Sequence, residues 1–299
     1  MNRWKGWRME MSALLFVPAT DEHKIQKAET LGCSGIILDL EDAVSEADKE
    51  RARANATRWL QQRASDGPPR RWVRINGLDT PHWESDLDAV LPASPDGFVV
   101  PKVERAGQLR ALEDRLRRWE RETGQNLNGI QMVILLETAA GVMRMEELLS
   151  ASKRIRAAAL GIADLAVDTG MSLDFAFRQN GFAAERVRLV LVSRALGLEP
   201  PWDVVYVFLD DKAGFREDVH FGHDIGCQGK MVIHPSQLAV VREVYGVSDE
   251  EMLKARRILE ISAQARQSGQ GAVLTEDGLL VDGALVRWAE DTLRRAGEQ

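Results

Sequence analysis

Cysteine is nearly absent from this chain. Cys33 and Cys227 are the only two among 299 residues, with no CxxC pair and no histidine beside either at metal-ligand spacing. This excludes a disulfide framework and a thiolate metal cage, so a reduced, cytoplasmic compartment is the plain reading and both thiols read as small buried hydrophobes. No apolar run approaches the roughly 20 residues that a membrane helix needs, so no membrane partner is expected. The basic start, Met1-Asn2-Arg3-Trp4-Lys5-Gly6-Trp7-Arg8, followed by Ala13 to Val17, imitates a signal peptide. Its apolar run is too short, Pro18 interrupts it, and Asp21 and Glu22 follow. GxGxxG, P-loop and GxSxG motifs are also missing, which removes support for nucleotide-binding and serine-hydrolase readings. Excess positive charge is lacking as well. A formal net charge of -7 and a pI near 5.4 argue against nucleic acid, while leaving room for a local basic pocket.

What is present is an alternation of short apolar runs with amphipathic stretches. Runs at 12–17, 35–39, 71–77, 96–102, 131–137, 155–161, 203–208 and 229–233 read as eight strands. Helices are expected at 22–31, 48–62, 83–90, 107–122, 142–149, 183–196 and 215–225, with a loop at 65–69. That pattern describes an α/β (β/α)₈ TIM barrel over residues 1–245, whose site forms at the C-terminal ends of its strands. Beyond it, 246–299 reads as a helix from Asp249 to Arg266, a hairpin over 272–281 with its turn at Glu276-Asp277-Gly278, and a last helix after Asp282. This extension is long enough to serve as a lid or to dock on a neighbouring subunit.

The strand ends converge on a short set of residues. Gln131 to Leu136 is an unbroken apolar run closed by Glu137, and one βα unit later Gly161-Ile162-Ala163 delivers Asp164. Two acids at one barrel edge suit a hard divalent cation; the alternative is an ion pair of each with a neighbouring Lys or Arg. Arg74 ends an otherwise apolar strand, so its guanidinium can bind a carboxylate or oxyanion, or neutralise Glu41 or Asp42. Asp39 and Glu41 share a strand face and Asp42 opens the loop, placing them to hold Arg74 or metal-bound water. Lys230 starts its strand and reads as a structural salt-bridge partner. Lys102 is a single cation at the other end of its strand, and His234 reads as a packed, hydrogen-bonded group. Asp210 and Asp211 are expected to cap the helix that follows them.

Taken together, Leu15-Phe16-Val17-Pro18, Ile37-Leu38-Asp39-Leu40-Glu41-Asp42-Ala43-Val44, Val73-Arg74-Ile75-Asn76-Gly77, Val100-Pro101-Lys102, Leu136-Glu137-Thr138-Ala139-Ala140-Gly141, Gly161-Ile162-Ala163-Asp164-Leu165 and Gly229-Lys230-Met231-Val232-Ile233-His234-Pro235 form an ordered set. The set resembles the citrate lyase β-subunit and malyl-CoA lyase family of divalent-metal aldolases. The resemblance implies a (β/α)₈ barrel, trimeric or hexameric, acting as a carbon–carbon lyase on an acyl-CoA or carrier-protein thioester and a 2-oxo acid. It implies Glu137 and Asp164 as ligands of Mg²⁺, with Mn²⁺ as substitute, and Arg74 as the group that stabilises a thioester enolate. Asp282 resembles the acid/base aspartate of a C-terminal lid that reaches an adjacent subunit. Glu41, Asp42, Gly161, Ile162 and Ala163 are placed around the substrate, and Lys27 keeps its position in the grip on the thioester carrier. Met11 and His23 replace arginines usual in that grip, and Ala163 replaces a common Glu. These departures leave open an aldolase acting on free 2-oxo acids without CoA, and a non-catalytic ligand-binding relative.

Overall fold

The computed structural model describes residues 12–62, 68–126, 129–275 and 277–297. Arg8 and Met11, the 65–67 part of the expected loop and Glu276 of the expected turn lie outside them. Eight parallel strands occur in chain order: β1 Ala13–Pro18, β2 Gly35–Asp39, β3 Arg70–Arg74, β4 Gly97–Val100, β5 Gln131–Leu136, β6 Ile155–Leu160, β7 Trp202–Asp203 and β8 Gly229–Val232. Their ladder runs β6-β5-β4-β3-β2-β1-β8-β7. Across the remaining seam the Glu199 N–H donates to the Arg156 carbonyl at 2.9 Å, and Arg156 pairs with Glu199 at 2.6 Å. The architecture is the (β/α)₈ barrel.

Alternation along each strand sends one set of side chains inward. Leu14, Ile37, Trp72, Val99, Val133, Ala157, Trp202 and Met231 fill the lumen. The two indoles meet edge to face at 5.1 Å. They fit because β6 contributes only Ala157 and Ala159, and because Gly97 has no Cβ, which would stand 2.4 Å from the Trp72 ring. Truncating either indole to alanine would cost about 3–5 kcal/mol.

At the opposite end from the strand termini, Lys230 is fully buried and bridges Asp203 at 2.7 Å and Asp218 at 2.6 Å. Arg186 closes the group with 2.7 and 2.6 Å contacts to the same acids. The structural salt bridge expected of Lys230 is therefore present. Both cysteines are buried, and burial pushes the Cys33 thiol up to about 11 and the Cys227 thiol well above its ordinary value.

Three expectations need correction. The strand expected at 203–208 pairs only at Trp202–Asp203, because the Tyr206 carbonyl accepts from the Gln237 side chain at 3.0 Å instead of a ladder partner. The helix expected at 142–149 is two short helices, Ala139–Met143 and Met145–Leu149, broken at Arg144, whose guanidinium donates to the Glu104 carbonyl. A helix, Ile162–Thr169, also begins directly after β6 where the sequence suggested a strand end.

The described residues fall into two compact units, 12–242 and 243–297. In the second, helices Asp249–Gln267 and Gly283–Arg295 pack through Ala255, Ile258, Val286 and Ala289. Two-residue strands Val273–Leu274 and Leu280–Val281 pair antiparallel between them. Among the described residues, no helix is long and apolar enough to cross a membrane.

Candidate active site

Ladder register brings the acids and the guanidinium together. Leu136 pairs with Leu160, so the next residues, Glu137 and Gly161, leave the sheet side by side, with the Gly161 N–H donating to the Leu136 carbonyl at 3.0 Å. Glu137 is 2 % exposed, and its Oε2 accepts the Lys102 backbone N–H at 3.1 Å. Burial, reinforced by the charges of Glu41 and Asp164 and opposed by Arg74, pushes the Glu137 carboxyl up to about 8. Asp164 comes from the first turn of helix Ile162–Thr169 and not from the end of β6. No side chain among the described residues pairs with it, so neither acid is consumed by an unrelated salt link.

Asp39 and Arg74 are ladder partners at the ends of β2 and β3. Arg74 Nε donates to Asp39 Oδ1 at 2.8 Å and Nη2 to Oδ2 at 2.5 Å, a bidentate pair. Its Nη1 lies 3.0 Å from Glu41 and 3.8 Å from Asp42, and the guanidinium sits 5.1 Å over the Phe16 ring. Although burial opposes it, these acids hold Arg74 above its ordinary range, so it is a permanent cation. Two of its five N–H groups are hydrogen-bonded to Asp39, while Nη1 faces Glu41 as an ion pair without hydrogen-bond geometry, so three N–H groups remain for a ligand. Arg74 thus neutralises the neighbouring acids and also lines a cavity. Lys102 ties Glu41 at 2.9 Å to Asp42 at 3.0 Å from the other side.

A cavity of about 400 Å³ is lined by Arg74, Asp42, Glu137 and Asp164 together with Gly161, Ile162 and Ala163. Glu41 lines a neighbouring polar cavity of about 370 Å³ instead. Lys27 lies on the exposed face of helix Glu22–Glu29 and lines neither. His234 caps the turn that follows β8, with Nδ1 2.8 Å from Ser236 Oγ. Asp211 caps its helix through the Gly214 N–H. In the second compact unit, Asp282 caps helix Gly283–Arg295 by accepting the N–H groups of Ala284 at 2.9 Å and Leu285 at 3.0 Å. Those two donors hold its carboxyl below the usual range.

One residue was missed from the sequence. Lys49, buried at the start of helix Lys49–Gln61, donates to the carbonyls of Leu40 and Glu41 and to Asn76 Oδ1 at 2.7–2.9 Å, fixing the backbone that carries Arg74's partners. Nothing in a charged helical stretch distinguishes it. Lys102 was read as a single cation at its strand end, but it also acts through its backbone: at a φ of +52° its N–H donates to Glu137.

The donor set fits a hard divalent cation. Glu137 and Asp164 offer oxygens on one cavity wall, and mutual repulsion is part of what raises Glu137. Among the described residues, no three or more His, Cys, Asp or Glu side chains gather into a metal cage. Two carboxylates with open positions suit an ion that takes its other ligands from water or a chelating substrate.

A family model described as HpcH/HpaI aldolase/citrate lyase matches residues 12–235, and one described as C–C bond lyase of the TIM-barrel fold matches 198–298. The chain is 32 % identical to citrate lyase subunit beta of Leuconostoc mesenteroides subsp. cremoris, over 95 % of this chain and 92 % of the relative. It is 32 % identical to a (3S)-malyl-CoA thioesterase of Cereibacter sphaeroides, over 95 % and 94 %. Among solved structures, CitE from Mycobacterium tuberculosis in complex with magnesium, acetoacetate and coenzyme A superposes with a TM-score of 0.76 at 31 % identity, covering 96 % of this chain and 98 % of that one.

Proposed function

Since the chain belongs to the HpcH/HpaI aldolase/citrate lyase family, we propose that it makes or breaks the carbon–carbon bond of a malyl-, citramalyl- or citryl-type thioester, joining an acyl-CoA to a 2-oxo acid. The chain is a carbon–carbon lyase and Mg²⁺ is its cofactor. The observation that carries the reading is the convergence of Glu137, Asp164 and Arg74 on one cavity.

Glu137 and Asp164 are the residues that would hold the ion. The bound ion supplies Lewis acidity, which makes the oxo-acid carbonyl a better electron acceptor. Arg74 offers its remaining N–H groups to the thioester oxygen, where negative charge grows as the bond breaks. Because Asp39 and Glu41 already fix the guanidinium, no reorganisation is needed at that moment. Glu41 and Asp42 shape this edge of the site, and Gly161 to Ala163 form its floor beside the acids. Asp282 is ionised at neutral pH and so starts as a base. In the cleavage direction it takes the proton of the substrate hydroxyl while the carbon–carbon electron pair passes to the thioester as an enolate. The C-terminal unit acts as the lid that delivers Asp282, across subunits of a homotrimer or hexamer.

The test is to incubate the purified chain and Mg²⁺ with malyl-CoA, citramalyl-CoA and citryl-CoA, following 2-oxo acid, acyl-CoA and free CoA. Chelator-sensitive release of 2-oxo acid together with acyl-CoA supports lysis. Free CoA with an intact hydroxy acid indicates hydrolysis, and no 2-oxo acid from any thioester contradicts the proposal. The position of Lys27 away from the cavity favours one second reading, an aldolase on free 2-oxo acids. Metal-dependent binding of pyruvate without binding of acetyl-CoA would select it.

A further inference from the structure

Outside its acids and Arg74, the larger cavity is walled by hydrocarbon. Phe16 of β1, Leu135 of β5, Leu160 of β6, Val205 just past β7, Met231 of β8 and Ile233 just past it supply this surface. The apolar lining therefore comes from five strands around the mouth and is not one local patch.

Cationic capacity in the same space is small. Arg74 is the one Lys, Arg or His lining it among the described residues, and its charge is already shared by Asp39, which takes two of its N–H groups, and by Glu41 3.0 Å away. Lys102 directs its ammonium to Glu41 and Asp42 and does not line this cavity. With the oxo-acid carboxylate and carbonyl drawn to the Glu137–Asp164 end and the thioester oxygen taking what remains of Arg74, the third substituent of the oxo acid is left to the hydrocarbon wall and the acids Asp39 and Asp42, with no further cation lining the cavity among the described residues. A second carboxylate there would lose its hydration with no charge to compensate it. A hydrogen or a short alkyl group loses nothing.

We propose that the site selects 2-oxo acids bearing one carboxylate and a hydrogen or short alkyl substituent, and rejects those with a second carboxylate. This rests on reading the cavity as an oxo-acid lyase site. The corresponding thioesters are of the malyl or citramalyl type and not the citryl type.

Two independent measurements on the full chain decide it. With Mg²⁺ present, calorimetric binding of pyruvate is expected to be at least about tenfold tighter than that of oxaloacetate, and kcat/KM for citramalyl-CoA or malyl-CoA at least about 50-fold above that for citryl-CoA. Equal or better performance of the dicarboxylate in either measurement overturns the selectivity. If no thioester is cleaved, the lyase reading fails while the pyruvate-to-oxaloacetate binding ratio still decides selectivity. The side chain at 233 is 39 % exposed, so Ile233→Lys adds a cation without repacking the core. It is expected to shift the binding ratio toward oxaloacetate about tenfold, and an unchanged ratio overturns the charge argument.

Discussion

Gly161 leaves open the space that the Glu137 side chain fills: a Cβ at 161 would stand 2.3 Å from both Cγ and Oε1 of the glutamate. The backbone at 161 has ordinary dihedrals, so the constraint is the acid and not the turn. Gly161→Ala should fold, but with the carboxylate displaced from its wall. Its affinity for Mn²⁺ is expected to fall at least about tenfold, in the range seen when groups that orient metal ligands are lost. Wild-type affinity in this variant would separate Glu137 from the metal.

The backbone of Lys102 carries a cost that its side chain conceals. At φ +52° a residue with a Cβ is about 1 kcal/mol less favourable than glycine. Lys102→Ala and Lys102→Gly both remove the ammonium that ties Glu41 to Asp42. Urea denaturation should show both variants destabilised and the glycine variant the milder by about 1 kcal/mol. The reverse order would mean that the left-handed turn at 102 is not kept in solution.

Asp282→Asn keeps an N-cap but removes a proton acceptor. Turnover is expected to fall about 10²- to 10⁴-fold with metal binding and the thermal midpoint at pH 7 unmoved. The pH dependence has a definite sign. A carboxyl held below its usual value stabilises the fold above about pH 4, and that contribution is lost as pH falls through the lower folded value. The wild-type midpoint should therefore drop more steeply below about pH 4 than that of the asparagine variant, whose cap does not titrate. Parallel curves would contradict this, and an unchanged rate would remove Asp282 from the chemistry.

Lys230→Met tests the far end of the barrel. It leaves Asp203 and Asp218 sharing Arg186 alone in a buried site. A loss of about 3–5 kcal/mol in denaturant unfolding is expected, because breaking a buried ion network strands a charge. A loss below about 1 kcal/mol would show that water reaches the cluster.

The barrel was legible because its strands are short apolar runs with abrupt ends. Gln131 to Leu136 has no polar interior to confuse it, and Glu137 marks where it leaves the sheet. The convergence of Glu137, Arg74 and Asp39 followed from parallel strands sharing one edge, and the observed register pairs Asp39 with Arg74 directly. Helix Ile162–Thr169 was not legible. Its sequence, Ile-Ala-Asp-Leu-Ala-Val, prolongs the small apolar run of β6, and periodicity over so few residues does not separate a helix turn from a strand end. Strand β7 failed for the opposite reason: 203–208 has strand composition, but the Gln237 side chain takes a carbonyl that a ladder would have used. The left-handed φ of Lys102 and the burial of Lys49 are set by tertiary packing, and local residue type carries no trace of either.

The central claim is that Glu137 and Asp164 together hold one divalent cation. Equilibrium Mn²⁺ binding followed by electron paramagnetic resonance, on wild type, Glu137→Gln and Asp164→Asn, tests it without relying on turnover. One site per chain is expected in the wild type, weakened at least about 100-fold in each variant while the far-ultraviolet dichroism is unchanged. Wild-type binding in either folded variant would contradict it.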